Sequence, residues 1–423
     1  MTTEALLLAS RARSASRALQ TASTATKNAV LDRIASALTA ASTAGPVLAA
    51  NRLDVDAARA AGLEPALVDR LVLDAQRLAG LQRAVREIAA QEDPVGQITA
   101  LTKRPSGIVV GRMQVPLGVV LIVYESRPNV TVDAAVLCLK AGNAVILRGG
   151  KEALHTNRAL AAVVGDALAA EGLPRDAALF VDDTDRELLY ALLRCTADID
   201  LAIRRGGRAL IDAVNEHARV PVIQHYQGIC HVYVHEDADL AMAEAIVVNG
   251  KVSRPGVCNA TECVLVDQSI AATFLPPLVK MLRDNEVEMV GCERTCAIVG
   301  PGVDGVTVGL ASEVDFDTEF LRLKIAIKVV DDEADAVAFI GRHGSRHTEA
   351  IVTNAHDVAM RFLQAVDASC VLINASTRFN DGGELGLGAE LGISTTKLHA
   401  YGPMGLQELC TRKFVVLGHG EVR

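Results

Sequence analysis

The stretch Val115-Pro-Leu-Gly-Val-Val-Leu-Ile-Val-Tyr124 decides the fold, because its apolar side chains predict a strand that is buried on both faces of a sheet. A helical pattern follows, ends at Gly142-Asn143, and leads to another apolar strand at residues 144–147. Strand and helix continue to alternate at about one unit per 30 residues, a spacing that is typical of βαβ units and a parallel sheet.

The pattern extends on both sides of this stretch. Residues 5–92 predict several helices, and residues 96–113 predict extended strands with a turn at residues 105–107. Later strands are predicted at residues 178–181, 200–203, 262–266, 325–330, 349–353 and 369–373. We therefore expect an α/β protein with two doubly wound, Rossmann-like domains in tandem. In such sheets, ligands bind beyond the carboxyl ends of the strands.

Length and charge limit the classes of function. The chain has 423 residues, enough for two or three domains, and a net charge of −9. The negative charge argues against nucleic acid or an anionic membrane as a partner, because phosphates need a concentrated positive field. No apolar run approaches the roughly 20 residues of a membrane-spanning helix. Nine scattered cysteines without a Cys-x-x-Cys pair predict a reduced, cytoplasmic protein with no metal site.

A candidate nucleophile lies in Lys251-Val-Ser-Arg-Pro-Gly-Val-Cys258-Asn-Ala-Thr-Glu262. Cys258 follows a Pro-Gly turn and precedes a buried strand, which predicts a polar loop. Lys251 and Arg254 are close in sequence, and neighbouring positive charge favours a thiolate. These residues leave two interpretations open: Cys258 is a nucleophile, or it is a loop cysteine without a role.

Two basic, glycine-rich turns are candidate phosphate sites. Arg148-Gly149-Gly150-Lys151 follows the strand at residues 144–147, and Arg204-Arg205-Gly206-Gly207-Arg208 follows the strand at residues 200–203. Glycine lets the backbone approach a ligand, and a helix N-terminus with nearby cations suits a pyrophosphate. One such turn is weak evidence, whereas two basic turns in consecutive βαβ units of an acidic protein are stronger.

A third candidate is the glycine-rich stretch that begins at Asn374. It follows the predicted strand at residues 369–373 and contains Ser376, Thr377 and Arg378. Long polar loops in compact domains are often binding loops. Its hydroxyl, amide and guanidinium groups suit the carboxylate and amine of an amino acid.

Longer motifs in the chain resemble a known family. They are Val115-Pro-Leu-Gly-Val, Tyr124-Glu-Ser-Arg-Pro-Asn-Val-Thr-Val-Asp-Ala-Ala, Gly142-Asn-Ala-Val-Ile-Leu-Arg-Gly-Gly, Arg254-Pro-Gly-Val-Cys-Asn, Asn374-Ala-Ser-Thr-Arg-Phe, Lys397-Leu-His-Ala and Gly402-Pro-Met-Gly-Leu. They are similar to the γ-glutamyl phosphate reductases, also called glutamate-5-semialdehyde dehydrogenases, within the aldehyde dehydrogenase superfamily. The resemblance covers essentially the whole chain.

The resemblance implies a reaction and roles for individual residues. The implied reaction is the NADPH-dependent reduction of L-glutamyl 5-phosphate to L-glutamate 5-semialdehyde with release of phosphate, the second step of proline biosynthesis. Cys258 would form a thioester, and its backbone N–H and the Asn129 amide would bind the oxyanion. Glu319 would hold the nicotinamide ribose. The implied substrate-binding residues are Arg254, Ser376, Thr377 and Arg378.

Two departures from the wider superfamily refine this expectation. Hydrolytic members carry a water-activating Glu about 34 residues before the cysteine, and residues 222–231 contain no acid here. Lys151 stands where the superfamily commonly has a Glu that binds the adenosine ribose, and a cation there favours the 2′-phosphate of NADP. The cofactor residues implied in this part of the chain are Arg148, Gly149, Gly150, Lys151, Arg205, Gly206 and Gly207.

The resemblance also implies a domain plan. Residues 1–238 would bind NADP, with residues 96–113 in a small β oligomerisation flap. Residues 239–390 would carry the catalytic cysteine, and residues 391–423 would form a return segment and a C-terminal oligomerisation strand. We expect a homo-oligomer, and an association with the glutamate 5-kinase that makes the unstable substrate. Two alternatives are a hydrolytic NAD(P)-dependent semialdehyde dehydrogenase and a catalytically silent nucleotide-binding homologue.

Overall fold

The structure is a computed structural model that describes residues 2–223, 227–300, 303 and 305–423. The chain divides into two units. Unit 1 contains residues 1–224, 386–392 and 404–423, and unit 2 contains residues 225–385 and 393–403.

Unit 1 begins with five helices that pack through apolar faces. They are α1 (Thr3–Gln20), α2 (Thr24–Thr39), α3 (Ala41–Ala60), α4 (Pro65–Leu71) and α5 (Ala75–Ala90). The side chains of Thr2, Ser23 and Asp74 accept backbone N–H groups at the starts of α1, α2 and α5, and so cap these helices. In α5, Leu78, Leu81, Val85 and Ile88 recur at helical spacing and are buried, as the sequence pattern predicts.

A five-stranded parallel sheet forms the core of unit 1. Its strands are β3 (Val119–Tyr124), β4 (Ala144–Arg148), β5 (Ala178–Phe180), β6 (Leu201–Arg205) and β7 (Val222–Ile223), in the order β5-β4-β3-β6-β7. The helices that connect them are α6 (Asn129–Lys140), α7 (Leu154–Ala170), α8 (Arg186–Leu192) and α9 (Arg208–His217). This order is doubly wound, and its direction reverses between β3 and β6.

A separate antiparallel sheet, which we call the flap, also belongs to unit 1. It joins β1 (Ile98–Lys103), β2 (Val109–Pro116) and β17 (Cys410–Leu417) in the order β1-β2-β17. The predicted strand at residues 115–124 is therefore wrong at its start: Val115 and Pro116 end β2 of the flap. The chain then turns at Gly118, whose φ of 127° favours glycine, before it enters β3.

Unit 2 contains a seven-stranded parallel sheet with the order β11-β10-β12-β9-β8-β13-β14. Its strands are β8 (Cys230–Val234), β9 (Thr261–Asp267), β10 (Glu288–Gly291), β11 (Val308–Leu310), β12 (Lys324–Val330), β13 (Thr348–Val352) and β14 (Cys370–Ile373). Its helices are α10 (Leu240–Val252), α11 (Gln268–Asp284), α12 (Glu293–Val299), α13 (Glu313–Phe316), α14 (Glu333–His343) and α15 (His356–Ala365). The short pair β15 (Ile393–Ser394) and β16 (Gly402–Pro403) completes the unit.

Both faces of the seven-stranded sheet are covered. On one face, alternate strand residues such as Val264 and Ile327 pack with Phe274 and Leu278 of α11. On the other face, Leu265 and its neighbours pack with Phe339 of α14 and Phe362 of α15. The sheet is therefore doubly wound, as the apolar strands predict.

β8 lies in unit 2 because it pairs with β9 and β13 of the seven-stranded sheet. The predicted domain boundary at residue 238 therefore lies beyond the end of the first segment of unit 1. Within the residues that the structure describes, no helix is long and apolar enough to cross a membrane.

Candidate active site

The carboxyl ends of three neighbouring strands of unit 1 bring together the predicted cofactor residues of the two glycine-rich turns, whereas Glu319 lies in unit 2. Parallel pairing sets Val123 of β3 opposite Arg148 of β4, and Tyr124 opposite Arg205 of β6. Glu125, the residue after β3, donates its backbone N–H to the Arg205 carbonyl at 3.0 Å. These carboxyl ends lie on either side of the point where the strand order reverses, which is where doubly wound sheets bind ligands.

The first glycine-rich turn has no room for side chains. A Cβ atom at Gly149 would overlap the Asn157 amide, and one at Gly150 would lie 3.3 Å from the Ser126 backbone nitrogen. Arg148 donates from Nη2 to the Thr184 carbonyl at 2.7 Å, and burial lowers the pKa of its guanidinium. Its buried Nε has no hydrogen-bond partner among the described residues. Lys151 follows the turn and is exposed.

The second turn already holds a carboxylate. The backbone N–H of Gly207, just before the ten-residue helix α9, donates to Glu125 Oε2 at 2.8 Å. A Cβ atom at Gly206 would lie 2.6 Å from the Glu125 carboxyl carbon, so a larger residue there would displace the Glu125 side chain. The Glu125 carboxylate therefore occupies the helix N-terminus at which the sequence predicts a pyrophosphate.

Asn129, the predicted second oxyanion donor, opens helix α6 and is exposed. Its Nδ2 donates one hydrogen bond to Asp133 Oδ2 at 2.8 Å. Burial raises the pKa of Asp133 to about 6, against the hydrogen bond from Asn129. An amide nitrogen carries two hydrogens, so this contact leaves Asn129 a second N–H to donate.

Cys258 lies in unit 2, in the loop of residues 253–260 that joins α10 to β9. We call residues 253–260 the nucleophile loop. The thiol is half-buried and is not in a disulfide. The loop meets the amino end of its strand, whereas the general rule for doubly wound sheets predicts sites at carboxyl ends. In unit 2, Cys258 differs from that pattern, because its loop enters β9 from a helix and does not leave the strand.

The backbone of Cys258 is held from behind by the start of β8. Cys230 Sγ donates to the Cys258 carbonyl at 3.2 Å. Gly228 packs directly against the same carbonyl, so that any Cβ atom at residue 228 would overlap it. The Gly228 N–H donates to the Glu319 carboxylate, which links the predicted ribose-binding residue to the nucleophile loop. Burial raises the pKa of Glu319, against that hydrogen bond and the charge of Lys251.

A residue before the nucleophile loop and a residue after it form a buried ion pair. Lys251, at the end of α10, donates from Nζ to Glu262 Oε2 on β9 at 2.6 Å, and both side chains are at most 1% exposed. Glu262 Oε1 accepts the backbone N–H of Leu321 at 3.4 Å, two residues after Glu319. Burial raises the pKa of Glu262 to about 7, although Lys251 opposes the shift.

The segment of residues 376–380, which we call the clamp segment, is fastened to the nucleophile loop. Asn259 and Arg378 form a side-chain hydrogen bond, and the hydroxyls of Thr261 and Thr377 are 3.0 Å apart. Ser376 caps the short 3₁₀ turn, and its hydroxyl accepts the Arg378 N–H at 3.4 Å. Thr377 is fully buried, Ser376 is nearly so, and Arg378 is half-buried.

The structure therefore groups the predicted residues within each unit. In unit 1, Arg148–Lys151 and Arg205–Gly207 share one sheet edge. In unit 2, the nucleophile loop contacts Gly228 and the clamp segment, and Arg254 in that loop is exposed. Sequence reasoning missed the roles of Gly228, Cys230, Asn259 and Glu262. Asn259 and Glu262 lie inside the motif that singled out Cys258, but their partners are distant in sequence.

Comparison with known proteins decides the family. Residues 3–304 match the family model described as "Aldehyde dehydrogenase family". The chain is 53% identical to the γ-glutamyl phosphate reductase of Salinibacter ruber, over all of this chain and 96% of that protein. It is 55% identical to the one from Sorangium cellulosum, over 98% and 97% of the two chains. The chain belongs to the γ-glutamyl phosphate reductases.

Solved structures of γ-glutamyl phosphate reductases share this fold. The crystal structure of the enzyme from Thermotoga maritima superposes with a TM-score of 0.95 at 43% identity, over 99% of this chain and all of that one. The enzyme from Saccharomyces cerevisiae superposes with a TM-score of 0.54 at 28% identity, over 100% and 99% of the two chains. The predicted α/β fold of the aldehyde dehydrogenase type is thus confirmed. Membership of the γ-glutamyl phosphate reductases implies a nicotinamide cofactor.

Proposed function

We propose that this chain catalyses the NADPH-dependent reduction of L-glutamyl 5-phosphate to L-glutamate 5-semialdehyde with release of phosphate. The observation that carries the proposal is the setting of Cys258. Its thiol is half-buried, while its backbone carbonyl is fixed by Cys230 and Gly228. A core cysteine needs no such support, whereas a nucleophile must be held in position.

In the proposed reaction, the Cys258 thiolate attacks the acyl carbon of the substrate. A bond from sulfur to carbon forms, the bond from carbon to the phosphate oxygen breaks, and phosphate leaves with the electron pair. The thioester is then reduced to a thiohemiacetal, which collapses to the aldehyde and returns the thiolate. The Cys258 backbone N–H and the Asn129 amide are the proposed donors to the oxyanion.

Cofactor binding is assigned to Arg148, Gly149, Gly150 and Lys151 together with Arg205, Gly206 and Gly207. NADPH supplies the hydride when bound. Support comes from the exposed ammonium of Lys151, which suits a 2′-phosphate. A pyrophosphate at the start of α9 would take the place of the Glu125 carboxylate at the Gly207 N–H. Glu319 is the proposed partner of the nicotinamide ribose.

Of the four residues predicted to bind substrate, Arg254 and Arg378 are assigned to contacts with the substrate, and Ser376 and Thr377 to supporting the clamp segment. The two arginines supply cations for the anionic groups of the substrate. Because the hydroxyl of Thr377 faces Thr261 in the interior, we assign Thr377 to holding the clamp segment in place. Ser376 similarly acts by capping the turn that presents Arg378.

The flap supports the proposal of a homo-oligomer. Every residue of β1 is exposed, and the edge strand β17 exposes Phe414, Val416 and Leu417 at 54–67%. A three-stranded sheet with exposed apolar side chains and an unpaired edge is typical of an interface. Association with glutamate 5-kinase and a cytoplasmic location stay predictions.

The test is NADP⁺ reduction by glutamate semialdehyde with and without inorganic phosphate. We expect activity to require phosphate and to favour NADP⁺ over NAD⁺, and Cys258→Ala to lower kcat by at least about 1,000-fold. Cys292→Ala is the matched control. Cys292 is also a half-buried thiol of unit 2. Burial would raise the pKa of Cys292, but hydrogen bonds from Thr295 and the Val329 N–H lower it. Cys292→Ala should retain activity.

Two results would contradict the proposal. Turnover that needs no phosphate would favour a hydrolytic dehydrogenase, in which water resolves the thioester. Full activity in Cys258→Ala would show that Cys258 is not the nucleophile. The described residues 222–223 and 227–231 contain no acid that could activate water, and residues 224–226 lie outside the described part of the chain.

A further inference from the structure

The residue that follows the nucleophile has its whole side chain engaged by the clamp segment. Asn259 Nδ2 donates to the carbonyls of Asn380 at 2.9 Å and Arg378 at 3.4 Å. Asn259 Oδ1 accepts a hydrogen bond from Arg378 Nη1. The side chain is 3% exposed. Asn259 therefore fixes both the backbone and the guanidinium of Arg378 to the nucleophile loop.

The guanidinium of Arg378 retains donors for a ligand. It carries five N–H groups, of which the bond to Asn259 uses one. Its Nε is buried and has no hydrogen-bond partner among the residues that the structure describes. A buried donor without a partner is costly, so a bound anion would satisfy it.

We propose that Arg378 binds the phosphate group of the acyl phosphate, and that Asn259 is the positioning residue that fixes its guanidinium at the nucleophile loop. This inference rests on the proposed function. The phosphate is attached to the carbon that Cys258 attacks, whereas the α-carboxylate lies at the far end of the substrate's carbon chain. A cation tethered to residue 259 therefore suits the phosphate better. The planar guanidinium also matches a phosphate with two parallel hydrogen bonds.

The assignment gives Arg378 a part in the chemical step. When the carbon–oxygen bond breaks, negative charge develops on the departing phosphate oxygen, and a fixed cation stabilises that charge. In the reverse direction, inorganic phosphate attacks the thioester and Cys258 leaves as a thiolate. The same guanidinium would then bind inorganic phosphate as a substrate, which makes the KM for phosphate a direct measure of the site.

Two neighbouring residues provide comparisons. Thr261 holds the same clamp segment through the Thr377 hydroxyl, without a described contact to the guanidinium, so Thr261→Val loosens the segment and leaves the Arg378–Asn259 bond. Arg254 is the competing cation, because it lies in the nucleophile loop itself. It is exposed, and nothing described ties it to the clamp segment.

The experiment measures KM for phosphate and for semialdehyde separately in the reverse reaction. Asn259→Asp keeps an oxygen against Arg378 and compensates its positive charge, and it also removes the hydrogen bonds from Nδ2 to the Arg378 and Asn380 carbonyls. We expect it to raise the KM for phosphate by about 10-fold or more, and the KM for semialdehyde by less than about twofold. Arg378→Ala should raise the KM for phosphate further, Arg378→Lys should recover part of the loss, and Thr261→Val should change it by less than about twofold.

A second measurement does not depend on turnover. Inorganic phosphate should raise the thermal unfolding midpoint of the wild-type protein and of Thr261→Val, but not of Asn259→Asp or Arg378→Ala. If the wild type turns over without phosphate, the proposed function fails, and this shift still decides whether Arg378 binds phosphate. A rise in the KM for semialdehyde alone in Arg378→Ala would overturn the inference. The inference would also be overturned if Arg254→Ala raised the KM for phosphate and Arg378→Ala did not.

Discussion

At the scale of single residues, Lys251 and Glu262 form a buried ion pair beside the nucleophile loop. Burial lowers the pKa of Lys251, against the charge of Glu262. Burial raises the pKa of Glu262 to about 7. The charge of each partner opposes the effect of burial on the other but does not cancel it. Glu262 also accepts the Leu321 N–H near Glu319. Loss of one partner leaves a charge in the interior, which is more costly than loss of both.

We expect Lys251→Met to destabilise the protein in a pH-dependent way. The folded pKa of Glu262 lies above the unfolded value of about 4.3, so its contribution to stability is greatest below that value and is lost as the pH rises through 7. Without Lys251 the pKa rises further. The cost should be about 3–5 kcal/mol near pH 8.5 and clearly smaller near pH 5.5, where Glu262 is protonated. Urea unfolding at the two pH values measures it.

A second buried pair provides the control for this prediction. Lys27 and Asp93 of unit 1 are 2.5 Å apart and at most 7% exposed. Burial would raise the pKa of Asp93, but hydrogen bonds from Lys27, Thr24 and Val95 lower it below its usual value. Lys27→Met should therefore cost about the same at pH 5.5 and 8.5. An equal cost of Lys251→Met at both pH values, or a pH dependence that survives in Lys251→Met/Glu262→Gln, would contradict the assignment to Glu262.

At the scale of secondary structure, the flap exposes apolar side chains that this chain does not cover. Phe414 on β17 is 67% exposed. Among the aromatic contacts of the described residues, its ring has one, with the Arg112 guanidinium carbon 4.2 Å from the ring centre. We expect Phe414→Glu combined with Val416→Glu to lower the oligomer to a monomer in size-exclusion chromatography with light scattering. Each substitution places a charge where a dry interface would form.

The control for the flap is Leu310→Glu. Leu310 is 66% exposed and lies on β11, the edge strand of the seven-stranded sheet. Its substitution adds the same charge to a different edge strand and should leave the mass unchanged. If the wild-type protein elutes as a monomer, the proposal of a homo-oligomer is contradicted. Dissociation by Leu310→Glu alone would place the interface on β11.

The same elements show how much of the molecule could be predicted from its sequence. The buried strands β3, β4 and β9 follow from unbroken apolar runs, because burial on both faces leaves a local signal. The break between β2 and β3 at Gly118 could not be predicted from the sequence, because Val115 and Pro116 are as apolar as the strand that they precede. Apolar character alone does not tell which sheet a residue joins.

The candidate site shows the same limit. Glycine and arginine in strand-to-helix turns predict the sheet edge of unit 1, since that signal is local. The bond between Asn259 and Arg378 joins residues 119 apart in sequence, and the contact of Cys230 with Cys258 joins residues 28 apart. Such contacts arise only when the sheet order brings the amino ends of β8, β9 and β13 together. The sequence therefore singles out Cys258, but it does not predict the residues that contact it.

At the scale of the whole molecule, nine thiols divide into two classes. Cys258, Cys292, Cys296 and Cys370 are half-buried. The other five are fully buried and occur in both units: Cys138, Cys195, Cys230, Cys263 and Cys410. Burial raises the pKa of each thiol in the second class, to about 12 for Cys410. These five thiols are therefore both inaccessible and un-ionised at neutral pH.

Because only an exposed thiolate reacts with an alkylating agent, modification of the buried class reports opening of the unit that contains it. We expect a short pulse of iodoacetamide at pH 7.5, read by mass spectrometry, to label the half-buried class at least about 100-fold faster than the buried class. In denaturant, all nine should react at similar rates, which is the control for intrinsic reactivity. Rapid labelling of Cys138 or Cys263 in the native protein would mean that their unit opens readily.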